Sequence, residues 1–181
     1  AEKFGVDRTF GDYRAMLESV DADAVYVLMP PHHLFDIAVN VLKSGRHLFI
    51  EKPPGVTAYQ TGALAELAEK QGLRAMCAFN RRHIPLLLWA REEVEAQGPI
   101  NQCVSTFYKH HTGGHYYDGA IDILTCDAVH AVDTLRWLGG GEVSRVTSSV
   151  KAIGASFKNA FNAIVEFDTG ATGVLLTNWM T

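Results

Sequence analysis

The sequence predicts an α/β fold. It reads as the remainder of a doubly wound parallel sheet over residues 1–80, followed over 81–181 by part of an α+β domain with an open, largely antiparallel sheet. Three observations carry this. Up to residue 80, short apolar runs alternate with helical patterns, as strands joined by helical crossovers do. After Gly139-Gly140-Gly141, three strand patterns follow one another with no helix between them. A long polar and aromatic segment, 110–124, separates the last two helical patterns.

The elements follow in order. Tyr13, Met16, Leu17 and Val20 fall on one side of a short helix over 12–20. Ala24 to Met29 is a continuous apolar run, which suits a strand buried on both faces, and Pro30-Pro31 ends it. Leu34, Ile37, Ala38, Val41 and Leu42 mark a helix over about 33–44, with Gly45 where a C-terminal cap belongs. His47 to Ile50 is the next strand, stopped by Glu51-Lys52-Pro53-Pro54. Thr57 and Gln60 have capping-box spacing for a helix that Gly72 ends. Arg74 to Phe79 is a strand, 84–97 a helix, 101–109 a strand and 126–138 a helix. The last three strands are 142–153, 159–168 and 171–179, with Asp168-Thr169-Gly170 as a hairpin turn.

Composition narrows the function. A net charge of −4 gives no basic field for a polyphosphate backbone, so nucleic acid is not the expected partner. No apolar run approaches the roughly 20 residues that span a bilayer, and the first residues carry no signal-peptide pattern. Cys77, Cys103 and Cys126 are widely spaced and odd in number, which fits thiols in a reducing cytoplasm.

In an open parallel sheet, ligands bind beyond the carboxyl ends of the strands. Pro30-Pro31-His32-His33, Glu51-Lys52-Pro53 and Asn80-Arg81-Arg82 occupy such positions. Pro53 biases Lys52 toward an extended backbone, so the ammonium can project from a stiff turn and stabilise developing negative charge; the alternative is a solvated surface lysine. Asp127 and His130 are three residues apart on the predicted helix, so they share one face and the carboxylate can orient the imidazole. A histidine near its ordinary pKa of about 6.5 exchanges protons at neutral pH. Asp133 is placed to hold His130 from the other side; the alternative for this group is a dipole-favouring aspartate and a packed histidine. His110, His111 and His115, with Asp118, match no zinc spacing, so no metal is expected. Substrate contact by this loop is expected instead; for Tyr116 and Tyr117 the alternatives are sugar contact and simple packing.

Taken in order, Pro30-Pro31, Glu51-Lys52-Pro53, Phe79-Asn80-Arg81-Arg82 and Asp127-x-x-His130-x-x-Asp133 resemble the glucose–fructose oxidoreductase / inositol dehydrogenase (Gfo/Idh/MocA) family across essentially the whole chain. The resemblance implies a Rossmann-type domain followed by an α/β substrate-binding and oligomerisation domain. It implies NAD or NADP as cofactor and a sugar, cyclitol or related polyol as substrate. By the same resemblance Lys52, His130 and Asp127 are catalytic, Lys52 touching nicotinamide and substrate. Pro30, Pro31, His33, Glu51, Lys52, Pro53, Asn80 and Arg82 line the cofactor. The chain departs from the family pattern at three places. Cys126 stands four residues before His130, where the family has aspartate. His32 or His33 stands in for the histidine after the proline turn. No G-x-G-x-x-G loop is present, and the isolated 181 residues are expected to bind dinucleotide weakly.

Two other functions fit the same residues: a non-catalytic binding or assembly module, and an NAD-dependent glycosidase-type enzyme or non-sugar reductase of the same family. The apolar strands 160–165 and 173–176 exceed what one helix covers, so a homo-oligomer through the second-half sheet is expected.

Overall fold

The apolar runs of the first half become parallel strands because the helices between them carry one apolar stripe each. The computed structural model describes residues 2–110 and 121–179, and the chain divides into two compact units, Ala1–Ala78 and Phe79–Thr181. In the first unit α1 (Tyr13–Ser19), β1 (Ala24–Val27), α2 (Pro31–Lys43), β2 (His47–Ile50), α3 (Ala58–Lys70) and β3 (Ala75–Cys77) alternate. The strands pair in the order β1-β2-β3, all parallel.

Helix α2 organises this unit. Leu34, Ala38, Val41 and Leu42 are buried along one stripe and pack with Val27, Leu48 and Ile50 of the sheet and with Leu64 and Ala68 of α3. Burying each such leucine contributes roughly 1.5–3 kcal/mol. The helix starts two residues earlier than its apolar pattern predicts, because Pro31 forms its first position. There the missing N–H is one the helix could not bond anyway, and the fixed φ already suits a helix. The predicted strand 74–79 is shorter, Ala75–Cys77. At α3 the Thr57 hydroxyl accepts the Gln60 N–H at 3.2 Å, and the Gln60 side chain accepts the Val56 N–H at 2.8 Å.

The second unit contains α4 (Pro85–Gln97), β4 (Gln102–Lys109), α5 (Val129–Gly139), β5 (Val143–Lys151), β6 (Ala160–Phe167) and β7 (Thr172–Trp179). Its sheet runs β4-β7-β6-β5. The successive strands β5, β6 and β7 are antiparallel, as expected, but β4 lies beside β7 in parallel register, Gln102 opposite Thr172 and Lys109 opposite Trp179. The β6–β7 turn has Gly170 at φ +87°, a left-handed position that closes a three-residue hairpin.

One sheet face carries α5. Ala131 and Leu135 pack on Cys103, Val165, Phe167 and Leu175. Gly139 lets the helix end lie against the sheet, since a Cβ there would stand 2.4 Å from the Phe167 ring. The opposite face presents Val104, Val174 and Ile164 side by side on neighbouring strands. The helix predicted from residue 126 begins earlier, with a wide π-helical turn over Leu124–Ala128 that runs into α5. The Asp122 carboxylate accepts the Thr125 N–H at 2.8 Å and caps that turn.

Candidate active site

In the first unit, the parallel register fixes where loops can meet a ligand. Val27, Ile50 and Cys77 are aligned across the sheet, so the three strands end together. The Glu51 N–H bonds the Val27 carbonyl at 2.9 Å, and the Ala78 N–H bonds the Ile50 carbonyl at 2.8 Å. Pro30-Pro31 and Glu51-Lys52-Pro53 therefore share one edge. Pro30 caps α2, and the His32 and His33 rings lie 4.0 Å apart, tilted at 52°, on its exposed first turn. The Glu51 carboxylate accepts the Lys52 N–H at 2.5 Å. Pro53 is fully buried behind a cis Lys52–Pro53 peptide, and Glu51 and Lys52 are half-buried. The turn is thus anchored by its proline, with the lysine at its rim.

The third predicted segment belongs to the second unit. Asn80–His83 forms a single short helical turn. Asn80 is exposed. Arg81 lies over the Phe107 ring at 4.8 Å. Arg82 makes a two-pronged bond to Asp133: its Nε donates to Oδ2 at 2.7 Å and its Nη2 donates to Oδ1. Asp133, expected beside His130, is thus engaged by Arg82.

His130 is half-buried in the first turn of α5. The Phe79 ring meets the imidazole edge-on, with centroids 6.3 Å apart and planes at 86°, and the His130 carbonyl accepts the Thr134 hydroxyl at 2.8 Å. Asp127 lies in the π-helical turn, so the spacing argument for a regular helix does not hold there. Its carboxylate accepts the Lys109 ammonium at 2.8 Å. Cys126, at the family's aspartate position, is buried with its thiol 4.0 Å from the Ile121 carbonyl.

Sequence reasoning missed Lys109 and Phe79 as neighbours of this group. The only signal for Lys109 was a cation ending a strand just before the histidine-bearing loop. His110 is exposed; His111, His115, Tyr116, Tyr117 and Asp118 lie outside the described residues. Among the described residues no group of three His, Cys, Asp or Glu side chains is placed to hold a metal ion, and no helix is long and apolar enough to cross a membrane.

The two units match consecutive domain models of one enzyme family. Residues 1–79 match the oxidoreductase family's NAD-binding Rossmann fold, and residues 100–181 match the GFO/IDH/MocA C-terminal domain. The chain belongs to the Gfo/Idh/MocA oxidoreductase family. It is 24% identical to scyllo-inositol 2-dehydrogenase (NAD(+)) of Bacillus subtilis over 96% of this chain and 53% of that protein. It is 29% identical to D-xylose 1-dehydrogenase (NADP(+)) 2 of Haloferax volcanii over 95% of this chain and 55% of that protein. The fold is that of the WlbA dehydrogenase from Bordetella pertussis, solved with NADH and UDP-GlcNAcA, at TM-score 0.83 and 23% identity over 96% of this chain and 54% of that one. The chain spans about half the length of these curated relatives.

Proposed function

We propose that the protein containing this chain transfers a hydride between NAD or NADP and a hydroxyl carbon of a sugar, cyclitol or related polyol. The carrying observation is the half-buried Lys52 on a proline-anchored turn, at the shared carboxyl edge of three parallel strands. That edge fits the nicotinamide end of a dinucleotide: an anchored backbone to lie against, and a cation at the rim. A nicotinamide held there would supply the hydride chemistry. The residues of this chain supply the rest. Lys52 donates to the carbinol oxygen and stabilises its developing negative charge. His130, with an edge-on phenyl ring as neighbour, takes up the hydroxyl proton in oxidation and returns it in reduction. Asp127 supports it from the adjoining turn. The relatives' names, an inositol and a xylose dehydrogenase, support a polyol substrate, and the cysteine usage fits the cytoplasm.

The test is steady-state kinetics of the intact protein on a polyol panel. His130→Ala is expected to lower turnover by about 10²–10⁴-fold with dinucleotide affinity unchanged. Lys52→Met keeps the apolar stem, removes the charge and is expected to abolish most turnover. Near-normal rates in both variants, with unaltered thermal melts, would return the protein to the class of non-catalytic binding modules.

We also infer self-association through the uncovered sheet face. Val104, Val174 and Ile164 form an apolar row there, with Val104 55% and Ile164 50% exposed.

A further inference from the structure

We propose that Arg82 is a positioning residue, fixing the helix that carries His130, and not a dinucleotide ligand. The Asp133 side chain is only 6% exposed. A buried carboxylate is stable only when its charge is paired and its oxygens are hydrogen-bonded. The Arg82 fork meets both needs at once, because a planar guanidinium matches the two carboxylate oxygens. These donors face α5, within the second unit.

Two residues of this short stretch therefore act on α5, and a third ties the stretch to β4. Phe79 sets its ring edge against the His130 imidazole, Arg81 lies over Phe107 of β4, and Arg82 grips Asp133. His130 and Asp133 are three residues apart on α5, on one helix face. Any rotation of α5 that moves the imidazole must also break the fork. From the strand side, the Lys109–Asp127 pair holds the turn that precedes the helix. The imidazole is thereby fixed before and after its own position. A displacement near 1 Å at a reacting group costs about 10²-fold in rate, so this fixture bears on turnover directly.

The inference rests on His130 being the proton-transferring group. In the intact enzyme, Arg82→Lys keeps the charge and loses the fork, while Asp133→Asn keeps the shape and loses the charge. Each is expected to lower kcat by about 10–100-fold, with KM for the polyol and Kd for the dinucleotide within about twofold. The double variant should be no slower than the slower single variant, since both remove one interaction. A second readout needs no activity: the ring-carbon NMR signal of His130, identified by its loss in His130→Ala, should move in both variants. Arg82→Gln, which can still donate one hydrogen bond, repeats the measurements if Arg82→Lys melts early. A raised dinucleotide Kd with unchanged kcat in Arg82→Lys would overturn the proposal, and so would an unmoved imidazole signal. A moved signal alongside normal turnover in His130→Ala would uphold the fixture and remove His130 from the chemistry.

Discussion

The Lys109 ammonium donates to the Asp127 carboxylate across 2.8 Å, tying the end of β4 to the wide turn from which the His130 helix grows. Both side chains keep contact with solvent, 42% and 21% exposed. The pair therefore matters more for where the turn lies than for how stable the unit is.

Lys109→Met is expected to change stability by less than about 1 kcal/mol, as for other solvent-screened ion pairs. Asp127→Asn is expected to lower turnover by about tenfold, less than His130→Ala does, because it weakens support and leaves the base in place. Thermal melts and steady-state kinetics on the two variants check this. Full turnover in Asp127→Asn would take the carboxylate out of the mechanism.

Gly139→Ala is expected to destabilise the second unit by about 1–3 kcal/mol through overpacking. The new methyl would point into the Phe167 ring, which is 3% exposed and walled in by the core. Urea unfolding should show a lower midpoint with an unchanged slope. A midpoint equal to that of the parent protein would mean that the ring can move aside.

Ile164→Lys places a charge in the row formed with Val104 and Val174. The position is half exposed, so folding should be nearly unaffected. Light scattering is expected to show the intact protein as an oligomer and this variant as a smaller species. Equal masses for both would exclude this face as the contact.

Burial raises the Cys103 thiol above its ordinary pKa. Alkylation needs the thiolate, so Cys103 should resist iodoacetamide at about pH 8.5 in the folded protein and react once denaturant is added. The sign for stability follows: the neutral thiol is the form that folding favours. Its contribution is complete below the ordinary pKa and is lost as the pH rises through the higher folded value. Peptide mass spectrometry, with and without denaturant, reads the first effect.

What could be read from the sequence was what short stretches encode. The stripe Leu34, Ala38, Val41, Leu42 announced α2, and Thr57 with Gln60 announced the start of α3, because both depend on residues a turn apart. Lys52 and His130 stood out for the same reason, each within a local pattern. Partnerships across the chain left no such trace. Arg82 and Asp133 are 51 residues apart, and the parallel placement of β4 beside β7 depends on a return path that no local periodicity records. The π-helical turn was hidden because its residues have no composition of their own. Pro31 misled as punctuation: a proline that ends a strand equally well begins a helix.

The parallel pairing of β4 with β7 also orders events during synthesis. Every β4 residue waits for a partner made long afterwards, Gln102 for Thr172 and Lys109 for Trp179. Until then β4 has no neighbouring strand in its sheet, and the loop that must close to supply one is large, which slows folding. The Phe107 ring likewise gains its stacking partner, 5.3 Å away, only when Trp179 arrives. A ribosome stalled before β7 would present an unfinished sheet edge to the cell, and that nascent state is where chaperone capture or aggregation of this unit should concentrate.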